Sequence, residues 1–384
     1  MSHKPLHDSS ALNGHVAAGA LAARIIEPGD FVADTEAFVD VRIPRSKGKA
    51  SYSFIGPGVS QNEDQVINLA IPHGFNVGAA TLPHGVINNP HLHFTAEVFI
   101  CTRGSFRFDI GEHGGQSVEV EAGTVFSVPT WVFRGFENTG PDDGWLFAVL
   151  GGDDTGGIIW APHILAESAE TGMYLAPDYS LLDASAGDDV SNAILPLPPE
   201  VLAGRVSEYT DAELDAMAVT SDDLVWSSDA LLSSVIPGHQ TSMAPVIGHG
   251  ISQSRKRNSP ITNPHSFSLE WLEIAPGCST GTHRHTNSQA TFLIEGTWQI
   301  DIETEDGDET VRPAEGSIAS IPENAWRNFT NLGSAPARAV VVCGSDAPTR
   351  IEWTTEILSA AQNAGWSVDA SGCVAPTELL GGRP

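Results

Sequence analysis

A stretch near residue 85, GVINNPHLHFTAEVFICTRG, returns near residue 277 as GCSTGTHRHTNSQATFLIEG, so one structural unit must be built twice. Gly85, His91, His93, Glu97 and Gly104 correspond to Gly277, His283, His285, Gln289 and Gly296, each displaced by 192. A second pair follows, GTVFSVPTWVFRGFEN and GSIASIPENAWRNFTN. Here Gly123, Pro129, Arg134 and Asn138 match Gly316, Pro322, Arg327 and Asn331 at a displacement of 193. Nine positions in register, with one inserted residue between the blocks, define a tandem duplication. The 384 residues then divide into 1–151, 152–225 and 226–384, the middle segment being a linker.

Within each copy, short β-type runs alternate with turns. EVFICTRGSFRFDIGE breaks at Gly104, and QATFLIEGTWQIDIE breaks at Gly296. Phe106, Phe108 and Ile110 alternate with polar residues, as do Trp298 and Ile300, which is the period of a half-buried strand. HGGQ and EDGDE supply hairpin turns. The middle segment changes character: ILPLPPEVL is proline-rich, and Thr210 with Glu213 has the spacing of a capping box opening a short helix. Near the C-terminus, WTTEILSAAQNAGW places Trp353, Ile357, Ala360 and Ala364 on one helical face, with Gly365 as the stop.

His91 and His93 are two apart and project to one face of an extended strand; Glu97 joins them if the chain stays extended. Two imidazoles and a carboxylate with open positions suit Fe(II), and also Mn, Ni or Co. Copy two keeps His283 and His285 but carries Gln289, a neutral amide, so its site is the weaker of the two.

Both copies resemble cupin domains, over about residues 60–150 and 255–345. The first cupin motif is G, five residues, HxH, three or four residues, E, six residues, G; the second is G, five residues, PxG, two residues, H, three residues, N. The resemblance implies an all-β fold of two jelly-roll (double-stranded β-helix) barrels, with a short helical linker and a C-terminal helix. It is a bicupin resemblance, towards quercetinase-like and gentisate-dioxygenase-like enzymes and oxalate decarboxylases. The family's second-motif histidine, a metal ligand, is Arg134 in copy one and Arg327 in copy two. Arginine offers no lone pair and stays protonated, so it cannot ligate a cation.

The reading that follows is a non-haem, Fe(II)-dependent dioxygenase acting on a small organic acid or hydroxylated aromatic. His91, His93 and Glu97 hold the metal, and Arg134 binds an anionic group or steadies an oxyanion. One alternative keeps the metal without O2, as a lyase, decarboxylase or isomerase. The other is a metal-free binding protein in which an Arg134–Glu97 ion pair replaces the cation. His73, His84, His249 and His265 lie where they can approach the barrel mouths, and Trp131, Phe133, Trp326 and Phe329 where they can line an apolar pocket.

Composition excludes other classes. With 19 Lys and Arg against 48 Asp and Glu, the net charge of −29 opposes nucleic acids and anionic membranes alike. Cys101, Cys278, Cys343 and Cys373 show no CxxC spacing and read as buried free thiols of a reducing compartment. The first twenty residues lack the pattern of a signal peptide, and a cytoplasmic chain is expected. Small-molecule substrates and a homodimer or larger homo-oligomer complete the expectation, because barrels of this kind expose sheet edges that partners cover.

Overall fold

The computed structural model describes residues 20–304 and 307–381. The beginning of the chain, read for a leader, and the first two residues of EDGDE lie outside the described residues. Two compact units divide the chain: Phe31–Asp222, and the residues from Asp223 onward together with the segment ending at Asp30.

In the first unit a five-stranded sheet runs in the order Ile158–Trp160, Ile87–His93, Arg134–Asn138, Ser105–Ile110, Gln116–Glu121. A seven-stranded sheet carries, in order, Ala218–Val219, Val125–Val128, Glu97–Arg103, Gly144–Gly151, Phe75–Leu82, Ala50–Ile55 and Ile67–Leu69. The expected alternation holds: Phe106, Phe108 and Ile110 are buried in one apolar cluster with Phe99, Phe126 and Phe136. The second unit repeats the plan. One sheet contains Gly307–Val311, Trp298–Thr304, Arg327–Asn331, His283–Arg284 and Glu352–Trp353; the other contains Ile25–Ile26, Ile318–Ile321, Gln289–Glu295, Ala337–Cys343, Ser268–Ile274 and Thr241–Ile247.

The expected boundaries shift in two places, for one physical reason. An open sheet edge leaves backbone N–H and C=O groups without partners, and each barrel covers its edge with a short strand. Val125–Val128 is covered by Ala218–Val219, so residues 152–222 belong to the first unit and not to a separate linker. Ile318–Ile321 is covered by Ile25–Ile26, which draws that segment into the second unit. Ile25 and Ala218 are themselves 193 apart, so the duplication includes these edge strands and each copy's strand serves the other copy's barrel.

Motif glycines and asparagines serve the turns. A Cβ on Gly104 (φ +93°) would meet the Gly144 backbone at 2.9 Å, and one on Gly296 (φ +113°) would meet Ala337 at 2.5 Å. Asn138 donates from Nδ2 to Leu82 O and Asp142 O, both at 2.7 Å, while its Oδ1 accepts from Gly140 N. Asn331 repeats all three bonds with Ile274, Ala335 and Gly333. The capping box at Thr210 and Glu213 is present and opens the helix Asp211–Asp215.

The C-terminal helix, Thr355–Asn363, buries Ile357 and Ala361, whereas Ala360 and Ala364 are exposed. Trp353 precedes the helix in a strand and is buried from there, so the inward stripe follows four-residue rows starting at Ile357. All four cysteines are buried and free. Among the described residues, no helix is long and apolar enough to cross a membrane.

Candidate metal centre

His91 sits directly opposite Arg134 on one neighbouring strand and Trp160 on the other; Arg134 in turn faces Ile110. Residues opposite one another in an antiparallel pair share a face, so all four point into the barrel. His93 follows on the same face. Glu97 arrives by a different route from the extended one expected. The chain bends over Phe94–Ala96 and crosses to the other sheet, where Glu97 pairs with Val128 and Leu150. The carboxylate therefore meets the two imidazoles from across the barrel. One ligand atom from each of His91, His93 and Glu97 lies within 4.8 Å of the others, and all three residues are buried.

Tautomers follow from the partners. His91 Nδ1 lies 2.7 Å from Asn89 O and His93 Nδ1 lies 3.2 Å from Gly157 O. A carbonyl only accepts, so at His91 Nδ1 carries the hydrogen and Nε2 presents a lone pair; at His93 the acceptors on the two sides, Gly157 O and Glu97 Oε2, lie at the same 3.2 Å, and a cation at Nε2 would select the Nδ1 tautomer. Burial, and then the surrounding positive charge, push both imidazoles below their ordinary pKa and keep them neutral. For Glu97, burial alone would raise the pKa. The His93 ring and the Arg134 guanidinium beside it outweigh burial and hold the carboxyl well below its ordinary range. Arg134 donates to Glu97 Oε2 from Nε at 3.2 Å and from Nη2 at 2.9 Å, and to Val132 O from Nη1.

One contact decides what the site fits. His93 Nε2 lies 3.2 Å from Glu97 Oε2, yet it is buried and has no hydrogen-bond partner. The separation is within ion-pair range, but with the proton on Nδ1 two acceptors face each other with nothing between them. A divalent cation satisfies that arrangement, and the N2O donor set suits one.

The second barrel preserves the backbone and alters the chemistry. His283 faces Arg327 and Trp353 as His91 faces Arg134 and Trp160, and the His283–Trp353 and His91–Trp160 ring centroids are both 5.3 Å apart. Here Arg327 reaches the histidine: Nη1 lies 2.7 Å from His285 Nε2 and 3.0 Å from Gln289 Oε1. Gln289 Oε1 is also 3.0 Å from His285 Nε2, but the guanidinium can only donate, so Nε2 accepts from it. Burial and Arg327 hold His283 down at about 4 and lower His285 as well. The guanidinium thus occupies the place between acceptors that the first barrel leaves open.

A cavity of about 70 Å³ lies in the first barrel, lined by His91, His93, Glu97, Phe99, Phe136, Trp160 and Lys49 among others. Arg134 does not line it and instead holds Glu97. Lys49, which no motif marks, supplies the lining cation. Its Nζ lies 2.5 and 2.7 Å from the two Asp40 oxygens and 2.7 Å from Asn88 Oδ1, within 5.6 Å of the Trp160 ring centroid.

The flanking aromatics and His73, His84 and His265 make structural contacts. Phe133 and Phe329 are core, Trp131 packs edge-on to Phe94, Trp326 stacks on Arg284, and none lines the cavity. Trp131 (φ +64°) and Asn324 (φ +60°) hold the left-handed position that the second cupin motif gives to glycine. His73 and His265 pack against Phe75 and Phe267 in the same T-shaped geometry, and His84 Nδ1 bonds to Gly140 O.

Fold and site together define a protein of two cupin barrels. The Cupin domain model matches at residues 78–150 and again at 270–343, so the chain carries two cupin domains. No curated protein sequence matches it. Among solved structures it is similar to the oxalate decarboxylase of Bacillus subtilis, at 14% identity and a TM-score of 0.53, covering 88% of this chain and 79% of that one. It is equally similar to the Lactobacillus farciminis oxalate decarboxylase formate complex, at 14% identity and a TM-score of 0.53, covering 87% of this chain and 89% of that one. Another structure of the Bacillus enzyme, with the same identity and TM-score, concerns its Mn(II) centres.

Proposed function

We propose that the first barrel is a metal-dependent lyase centre that decarboxylates a small carboxylic acid, and that the second barrel is structural. The observation that carries this reading is the unpartnered His93 Nε2 beside Glu97 Oε2 in the first barrel, against the Arg327–His285 bond in the second. The similarity to decarboxylases supports a lyase over the dioxygenase expected from sequence, and Mn(II) over Fe(II).

His91, His93 and Glu97 would hold the metal, which as a Lewis acid polarises a bound carboxylate. The charges of this chain select the substrate. His91 and His93 are neutral, Arg134 cancels Glu97, and Asp40 cancels Lys49, so the protein lends a divalent ion almost no compensating charge. An anionic ligand completes the neutralisation. The cavity of about 70 Å³ favours an acid of a few carbon atoms over an aromatic ring system. Phe99, Phe136 and Trp160 wall that space and limit water around the developing carbanion.

The test is release of CO2 by the Mn(II)-loaded chain from oxalate and from three- and four-carbon mono-, di- and keto acids, with dissolved O2 followed in parallel. CO2 release without stoichiometric O2 loss is expected. One O2 consumed per product formed would return the dioxygenase reading.

A further inference from the structure

We propose that Glu112, His113 and His163 form a second metal site, for a borderline divalent cation of the Zn(II) or Ni(II) type, on the outside of the first unit. One ligand atom from each residue lies within 4.8 Å of the others. The two imidazole rings are 5.3 Å apart at 39°, and Glu112 Oε1 lies 3.8 Å from His113 Nε2. His163 is half-buried, and its Nδ1 is shut away from water with no hydrogen-bond partner. An unpaired buried ring nitrogen costs free energy that a ligated cation recovers.

The elements bearing these residues are fixed. Glu112 and His113 sit in the turn between Ser105–Ile110 and Gln116–Glu121, where Gly111 (φ +96°) and Gly114 (φ +68°) set the bend and Gly111 N donates to Phe133 O at 2.8 Å. His163 is the second residue of the helix Pro162–Glu170, and Ala161 N before it donates to Pro90 O at 3.0 Å. Glu167, one turn further on, is engaged by Arg45 at 2.6 Å. Two imidazoles and one carboxylate therefore converge without a protein cation between them, and water completes the shell. Ligation would clip the hairpin that begins after Ile110 to the helix that begins after Trp160. Ile110 and Trp160 are the residues opposite Arg134 and His91, so the clip braces the strands of the first barrel's centre from outside.

The probe is Zn(II) alone, titrated calorimetrically into the full chain carrying His93→Ala, and in parallel into the otherwise native chain with His113→Ala and His163→Ala together. The His93→Ala chain should retain a Zn(II) site, and Zn(II) should raise its melting temperature. The His113→Ala/His163→Ala chain should lose one Zn(II) equivalent relative to the native chain. Because His113 is exposed and His163 only half-buried, this second variant stays informative even where His93→Ala fails to fold. Unchanged Zn(II) stoichiometry and affinity in the His113→Ala/His163→Ala chain would overturn the proposal.

Discussion

Arg327 donates from Nη1 to Nε2 of His285 across 2.7 Å, which consumes the lone pair that a cupin histidine offers to a metal. Among the described residues the guanidinium has no carboxylate partner within ion-pair distance, and burial lowers its pKa to about 10. Arg327→His should free His285, supply a further imidazole and raise the metal bound in the second barrel. The measurement is bound Mn(II) in the variant against the native chain; an unchanged metal content would contradict the view that Arg327 is what closes this barrel to metal.

Arg134 engages the Glu97 carboxylate and the Val132 carbonyl rather than a histidine, so its removal has a different consequence. Arg134→Met leaves Glu97 buried without its counter-charge, and breaking a buried pair costs about 3–5 kcal/mol. A divalent cation supplies the missing charge. The variant should melt well below the native chain when metal-free and recover most of the difference on addition of Mn(II). A deficit that Mn(II) leaves untouched would argue that Glu97 is not a ligand.

Glu270 gives a pH signature independent of the metal. It lies on the inward face with Leu272 and Ile274; its Oε1 accepts from Ile251 N at 2.5 Å and its Oε2 has no partner. Burial pushes its pKa from the ordinary 4.5 up to about 8, against the opposing pull of the Ile251 and Ser252 N–H groups. The native state thus keeps a proton that the unfolded chain releases above about 4.5, and the stability this contributes is lost as pH rises through about 8. Glu270→Gln, which mimics the protonated acid, should match the native chain near pH 5 and exceed it near pH 9 in urea midpoint. Equal midpoints at both pH values would contradict the raised pKa.

The motif asparagines are predicted to be structural. Asn138→Ala removes the side-chain donor to Leu82 O and Asp142 O and leaves Gly140 N with Ser105 O alone. A loss of about 2–4 kcal/mol is expected by denaturant unfolding, with metal affinity retained. Asn331→Ala should behave alike in the second unit.

Much of this was legible because it is local. His91 and His93 share a face through strand periodicity alone, and Gly104 and Gly296 mark turns that only glycine fits. What escaped is carried by contacts between distant segments. Lys49 and Asp40 pair near the cavity with no motif around them, and Glu97 reaches the histidines by crossing between sheets, which strand periodicity does not foretell. Trp160 and Trp353 were within reach. Their displacement of 193 matches that of the second motif, and extending the repeat past Asn138 and Asn331 would have found both, along with the edge strands at Ile25 and Ala218.

The most direct test of the central claim, a metal centre in the first barrel alone, is the metal content of the full chain loaded with Mn(II) in a His113→Ala/His163→Ala background, which silences the surface cluster. His93→Ala and His285→Ala are compared within that background. One equivalent per chain is expected, lost with His93→Ala and kept with His285→Ala. Metal that survives His93→Ala, or disappears with His285→Ala, would contradict it.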